Sequence, residues 1–206
     1  MEKSVTKPRT GSAIRSPKVV ERRSRMRDAL VDAGGRLFAE KGVEAVSVEE
    51  IIEAAGTSRR TYYGFFANKY ELVASVLKPV LESGAPQLQA LAERPAGELV
   101  PGIVDFYLQL WSERRDALLT IGAVGGEVMP YIEADHQAFG AAMKTVLQKA
   151  AAEGALRNGS ADYTFKVISR SAIPLLKVYR DHPDMASIYR ESMIALLAPA
   201  GGVSDS

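Results

Sequence analysis

The chain has 206 residues, which at about 100 to 200 residues per domain allows one large domain or two small ones, and it contains no cysteine, which excludes disulfides, thiolate metal sites and thiol nucleophiles. The formal net charge of +1 hides an asymmetry: residues 1–27 carry nine bases against two acids, a balance of +7, and the rest carries 17 bases against 23 acids, a balance of −6. A basic arm on an acidic body is either a solvated tail or the footprint of a polyanionic partner. No run approaches the roughly 18 to 20 apolar residues of a membrane span, and the basic start lacks the apolar core of a secretion signal, so a cytoplasmic protein without membrane contact is expected.

Residues 1–20 combine Pro8, Gly11 and Pro17 with serines and bases. Little there can offset the entropy of ordering by burial, so this segment reads as a disordered basic arm. From about Arg22 to Glu40, Met26, Ala29, Leu30, Ala33, Leu37 and Phe38 recur at helical spacing, and Gly42 supplies a stop. Ser47 with Glu50 forms an S-x-x-E capping box ahead of Val48, Ile51, Ile52 and Ala55, a second helix that Gly56 ends. Asn68 with Glu71 repeats the capping pattern and opens a helix that Pro79 should interrupt or bend. "VDFYLQLW", "RRDALLTIGAV" and three longer segments follow, each with apolar residues three and four apart. No stretch alternates with period two. An all-α protein of about nine helices is expected, with a DNA-binding unit over 21–67, a second helical domain over 68–200 and a flexible tail over 201–206.

A capped short helix, a glycine turn and a second short helix make a helix-turn-helix. Gly56 falls at the turn, where positive φ is favoured, and Ile51, Ala55, Tyr62 and Phe65 fall on faces that must bury against each other. In such a motif the second helix enters the DNA major groove with its N-terminal residues at base edges. Those residues are Ser58, Arg59, Arg60 and Thr61. A guanidinium can donate two parallel hydrogen bonds to guanine, and hydroxyls suit phosphates. Phe65 and Phe66 are assigned to the core, and Tyr62 and Tyr63 to the groove or its phosphate wall, against the alternative that both tyrosines only pack.

The stretch "LFAEKGVEAVSVEEIIEAAGTSRRTYYGFFANKYELV" resembles the DNA-binding domain of the TetR family of bacterial transcriptional regulators. Phe38, Lys41, Gly42, Ser47, Ala55, Gly56, Ser58, Thr61, Tyr63, Phe66, Lys69 and Leu72 carry the resemblance, which covers about Arg22 to Val73. Arg60 stands where many members have glycine, and Phe65 replaces a common histidine or tyrosine. The resemblance implies phosphate contacts for Ser47, Tyr63 and Lys69, a palindromic DNA operator as partner, a small effector bound by the C-terminal helices, and dimerisation through the last two long ones. No cofactor and no metal site is assigned.

Phe106, Tyr107, Leu110, Trp111, Val124, Met129, Tyr131 and Phe139 form an aromatic and methionine-rich set able to line an apolar effector cavity, or an ordinary core. The last two helices carry two apolar stripes each. Val167, Ser171, Pro174 and Val178, with Tyr189, Met193 and Leu196, are assigned to a homodimer contact, and Pro174 should kink its helix. An enzyme, or a helical protein-binding module without DNA contact, is the alternative. His136 and His182 stand far apart, no H-E-x-x-H or G-x-S-x-G occurs, and no catalytic residue is assigned.

Overall fold

A computed structural model describes residues 17–121 and 125–200; the expected arm over 1–16, the tail over 201–206 and Val124 lie outside them. The described residues form eight helices and no strand: α1 (Pro17–Lys41), α2 (Val48–Ala54), α3 (Arg59–Tyr63), α4 (Lys69–Ala92), α5 (Ala96–Ile121), α6 (Met129–Ala152), α7 (Ala161–Tyr179) and α8 (Met185–Leu197). None of these helices is long and apolar enough to cross a membrane.

One boundary differs from expectation. Residues 17–20, read as arm, are the first turn of α1, where the helical φ fixed in Pro17 suits a helix start. Within α5 the backbone leaves helical geometry at Arg114 (φ −139°, ψ 38°), which divides the span into the two helical segments expected there.

The buried side chains of α4 make it the spine of the molecule. Its first half, through Leu72, Val73, Val76 and Leu77, covers the small N-terminal unit, and Val80, Leu81 and Leu88 continue the core into the larger C-terminal unit. α4 packs on α1, α5 and α6. At Gly84 a Cβ would stand 2.7 Å from the Phe139 ring, so only glycine permits this approach of α4 and α6. Pro79 and Pro86 both lie inside α4, which continues through them to Ala92. α7 likewise runs through Pro174 as one helix.

α7 and α8 pack on each other and on α5. The Arg190 guanidinium pairs with Asp105, joining α8 to α5, and the Tyr179 and Ser192 hydroxyls lie 3.1 Å apart across α7 and α8. Thr164, Ile168, Ala172 and Leu176 form the buried stripe of α7, and Tyr189, Met193 and Leu197 that of α8.

Candidate nucleic-acid interface

The second helix starts as its sequence dictates. Ser47 takes extended backbone geometry (φ −88°, ψ 157°), its hydroxyl oxygen accepts from the Glu50 N–H at 3.2 Å, and its own N–H donates to the Glu50 carboxylate at 2.8 Å. The Ser47 hydroxyl also donates to that carboxylate at 2.9 Å. Lys41, the last residue of α1, donates to the other Glu50 oxygen at 2.8 Å. This hydrogen bond, followed by those from Ser47, holds the Glu50 carboxyl down to about 2, and the same pairing raises the Lys41 ammonium. Both Ser47 donors are therefore spent on Glu50, and the phosphate contact expected of Ser47 would have to displace that carboxylate.

Gly56, at φ +60°, makes the turn between α2 and α3, a conformation that costs an L side chain about 1 kcal/mol or more. Ser58 then caps α3: its hydroxyl accepts from the Thr61 N–H at 3.2 Å and lies 2.9 Å from the Thr61 hydroxyl. The five-residue α3 exposes Arg59, Arg60 and Tyr63. Arg59 pairs with Glu49 of α2, and Arg60 makes no such pair among the described residues. Arg60 and Thr61 instead form one wall of a groove of about 570 Å³ whose other wall is Val19, Arg22, Arg23 and Met26 of α1. Three guanidinium-bearing residues from two helices thus border one open groove.

Tyr62 does not face outward. Its ring is fully buried, tilted against Phe66 at 5.7 Å and edge-on to Tyr63 at 5.2 Å, and its hydroxyl donates to the Asn68 carbonyl at 3.3 Å. Burial raises the phenol well above its ordinary range. The packing half of the expectation for Tyr62 holds, and the groove half is overturned because the hydroxyl is turned inward. Phe66 is buried as expected, and Phe65 is half-buried under the Arg23 guanidinium at 4.7 Å. Arg23 also donates to the Gly64 carbonyl at 3.0 Å, which pins the end of α3 to α1.

Lys69 also departs from its expected role. Its ammonium donates to the carbonyls of Val43 at 2.7 Å, Val46 at 3.2 Å and Glu44 at 3.5 Å, and its side chain is only 17% exposed. A lysine with its three donors spent on one loop holds that loop between α1 and α2 and has none left for a phosphate.

In the C-terminal unit, Phe106, Tyr107, Leu110 and Trp111 are buried on α5, and Phe139 of α6 meets Phe106 at 5.9 Å between ring centres. Met129 packs at the margin of this core. Tyr131 stands apart: its hydroxyl accepts from the Asn68 Nδ2 at 2.8 Å, at the other end of α4 from the expected cavity. Asn68 was legible as a cap but not as this junction. Of the residues assigned to a dimer contact, Val178 and Leu196 are exposed, 72% and 42%, Pro174 is exposed and Val167 half-buried. Tyr189 and Met193 are corrected: both are fully buried inside their own chain. Ser171 faces inward too, donating to the Val167 carbonyl at 2.7 Å and approaching the Met193 sulfur at 3.8 Å.

Residues 30–76, from the middle of α1 to the first turns of α4, match the sequence profile of the bacterial regulatory proteins of the tetR family. Over that stretch the chain is similar to the TetR family. Its likeness to the HTH-type transcriptional regulator TcmR of Streptomyces glaucescens is 37% identity over 92 residues, 44% of this chain and 39% of TcmR, so the chain spans about two-fifths of that relative. The likeness in fold extends further than the sequence match. The structure of the ketosteroid transcriptional regulator KstR2 of Mycobacterium tuberculosis superposes with a TM-score of 0.67 at 18% identity, over 84% of this chain and 95% of that one. SmeT, a repressor of a Stenotrophomonas maltophilia multidrug efflux pump, in complex with triclosan, superposes with a TM-score of 0.61 at 19% identity, over 88% and 96%.

Proposed function

We propose that this chain is a sequence-specific, double-stranded DNA-binding transcription regulator that acts as a homodimeric repressor and leaves its operator when a small, largely apolar ligand binds the C-terminal helices. The observation that carries the DNA-binding reading is the exposed Arg60 at the start of a capped helix, opposite Arg22 and Arg23 across an open groove. Arg60 reads a base edge, and Arg59 joins it by exchanging Glu49 for DNA. Ser58, Thr61, Tyr63 and the first turns of α1 contact phosphates.

The ligand half of the reading is supported by the α5–α8 core. The Tyr189 hydroxyl is buried without a hydrogen-bond partner among the described residues, and the nearby Tyr107 ring is buried beside it on α5. Burial raises both phenols, so both stay protonated donors. A neutral ligand with a hydrogen-bond acceptor would satisfy an unpaired donor in an apolar surround. SmeT, of the same fold, holds triclosan. The dimer reading is supported by Tyr163, Val178 and Leu196, large apolar side chains left exposed on α7 and α8.

Selection of bound fragments from random and genomic DNA tests the function directly. Enrichment of a palindrome, with affinity that falls steeply with salt, is the expected result. Binding that varies with salt but favours no sequence would refute it.

A further inference from the structure

Asn68 stands where three elements meet. Its Oδ1 accepts from the Glu71 N–H at 3.0 Å and so starts α4; its carbonyl accepts from the hydroxyl of Tyr62, the buried residue of α3; and its Nδ2 donates to the Tyr131 hydroxyl at 2.8 Å. Tyr131 lies in the first turn of α6. One residue is therefore bonded, through its backbone carbonyl, to the helix that carries the base-reading arginines and, through its side chain, to a helix of the C-terminal unit.

The mechanics favour control of orientation over mere adhesion. α4 and α6 also meet at Gly84 and Phe139, about 24 Å along α4 from Asn68 at 1.5 Å per residue. α4 and α6 pack on each other extensively, but those apolar contacts rest on dispersion, which is nondirectional. The directional bond at the far end of α4 adds an angular constraint that they lack. Both bonds through Asn68 are half-buried, so water competes for them less than at an open surface.

We propose that Asn68 and Tyr131 are positioning residues that fix the angle of the recognition helix relative to the C-terminal unit, and through it the separation of the two reading heads in a dimer; this rests on the DNA-binding reading above. The Tyr131 hydroxyl touches no DNA in this scheme and acts only through Asn68.

The test uses the full-length protein, the selected operator, and a series of operators whose half-sites are moved together or apart by single base pairs. Tyr131→Phe removes only the hydroxyl. Asn68→Ser keeps a capping oxygen for Glu71 but is too short to reach α6. Each single variant is expected to lose about 2- to 10-fold affinity at the best spacing, the worth of one net hydrogen bond, and less at neighbouring spacings, so that the profile broadens. The double variant should lose no more than either single one, because both remove the same bond. The proposal is overturned by an unchanged spacing profile in both variants, by losses equal at every spacing that follow a fall in melting temperature, or by losses that multiply in the double variant. An unmodified protein that selects no DNA sequence would overturn the DNA-binding reading itself, and this proposal with it.

Discussion

Arg60 and Lys69 are cations at the same end of the molecule, and their surroundings separate their roles. Arg60 is exposed on α3 with no ion pair among the described residues, whereas Lys69 is folded back onto three carbonyls of the α1–α2 loop. Arg60→Ala should cost about 1 to 3 kcal/mol at the preferred operator and relax selection at one base position per half-site, read by competition with single-base variants. Lys69→Met should instead lower the melting temperature, since hydrogen bonds to a charged group are worth about 1.5 to 3 kcal/mol, while the slope of log affinity against log salt stays that of the unmodified protein. A flattened slope would restore Lys69 to phosphate contact. Helical spacing places Lys69 at the mouth of α4, but the carbonyls it binds come from a loop more than twenty residues earlier, and no local pattern reports such an approach. The inward turn of the Tyr62 hydroxyl was hidden for the same reason, although its ring position followed from the period that also buries Ile51 and Phe66. Tyr189 offers a second check at this scale. Tyr189→Phe removes an unpartnered buried hydroxyl and should raise stability by about 1 kcal/mol in thermal or urea unfolding. A loss of stability would mean that the hydroxyl has a partner in solution, such as an ordered water.

Among the elements, α2 is the one whose integrity depends most visibly on charge. Glu50 is held at about 2 against an ordinary 4.5 by Lys41 and then Ser47. A depressed carboxyl contributes stability that is full above about 4.5 and is lost as the pH falls toward about 2. Glu50→Gln should therefore be less stable than the unmodified protein at neutral pH and lose less on acidification across that window, read by circular dichroism in urea at each pH. Parallel acid curves for the two proteins would remove Glu50 from the account. The caps at Ser47 and Asn68 were readable in the sequence because each pairs one side chain with a backbone group three residues on, and the turn at Gly56 because glycine alone takes positive φ without strain. The division of α5 was readable as well: the two apolar segments expected as separate helices lie before and after the non-helical backbone at Arg114.

At the scale of the whole molecule, the C-terminal helices offer an outward face. Val178→Glu would place a charge in the expected contact between copies and should weaken association at least about tenfold by sedimentation, with helical content unchanged. An unmodified chain that sediments as a monomer at micromolar concentration would count against the dimer. The existence of two apolar stripes was evident in the sequence; which stripe faces the chain's own core was not, because period alone fixes their separation around the helix and not their partners. Hence Tyr189 and Met193 went inside while Val178 and Leu196 stayed out.

The anchoring of α3 sets the unit in which operator choice can be transplanted. Arg23 of α1 grips the Gly64 carbonyl and lies over Phe65, Arg27 reaches Ser75 of α4, and Lys69 of α4 holds the loop ahead of α2. A five-residue helix has no stability of its own in water, so its orientation belongs to these neighbours. A chimera that received only residues 48–63 would inherit the letters of the recognition code without the frame that aims them. The heritable block runs from about residue 22 to residue 76, and swaps that cut within it should yield regulators that fold yet address no operator.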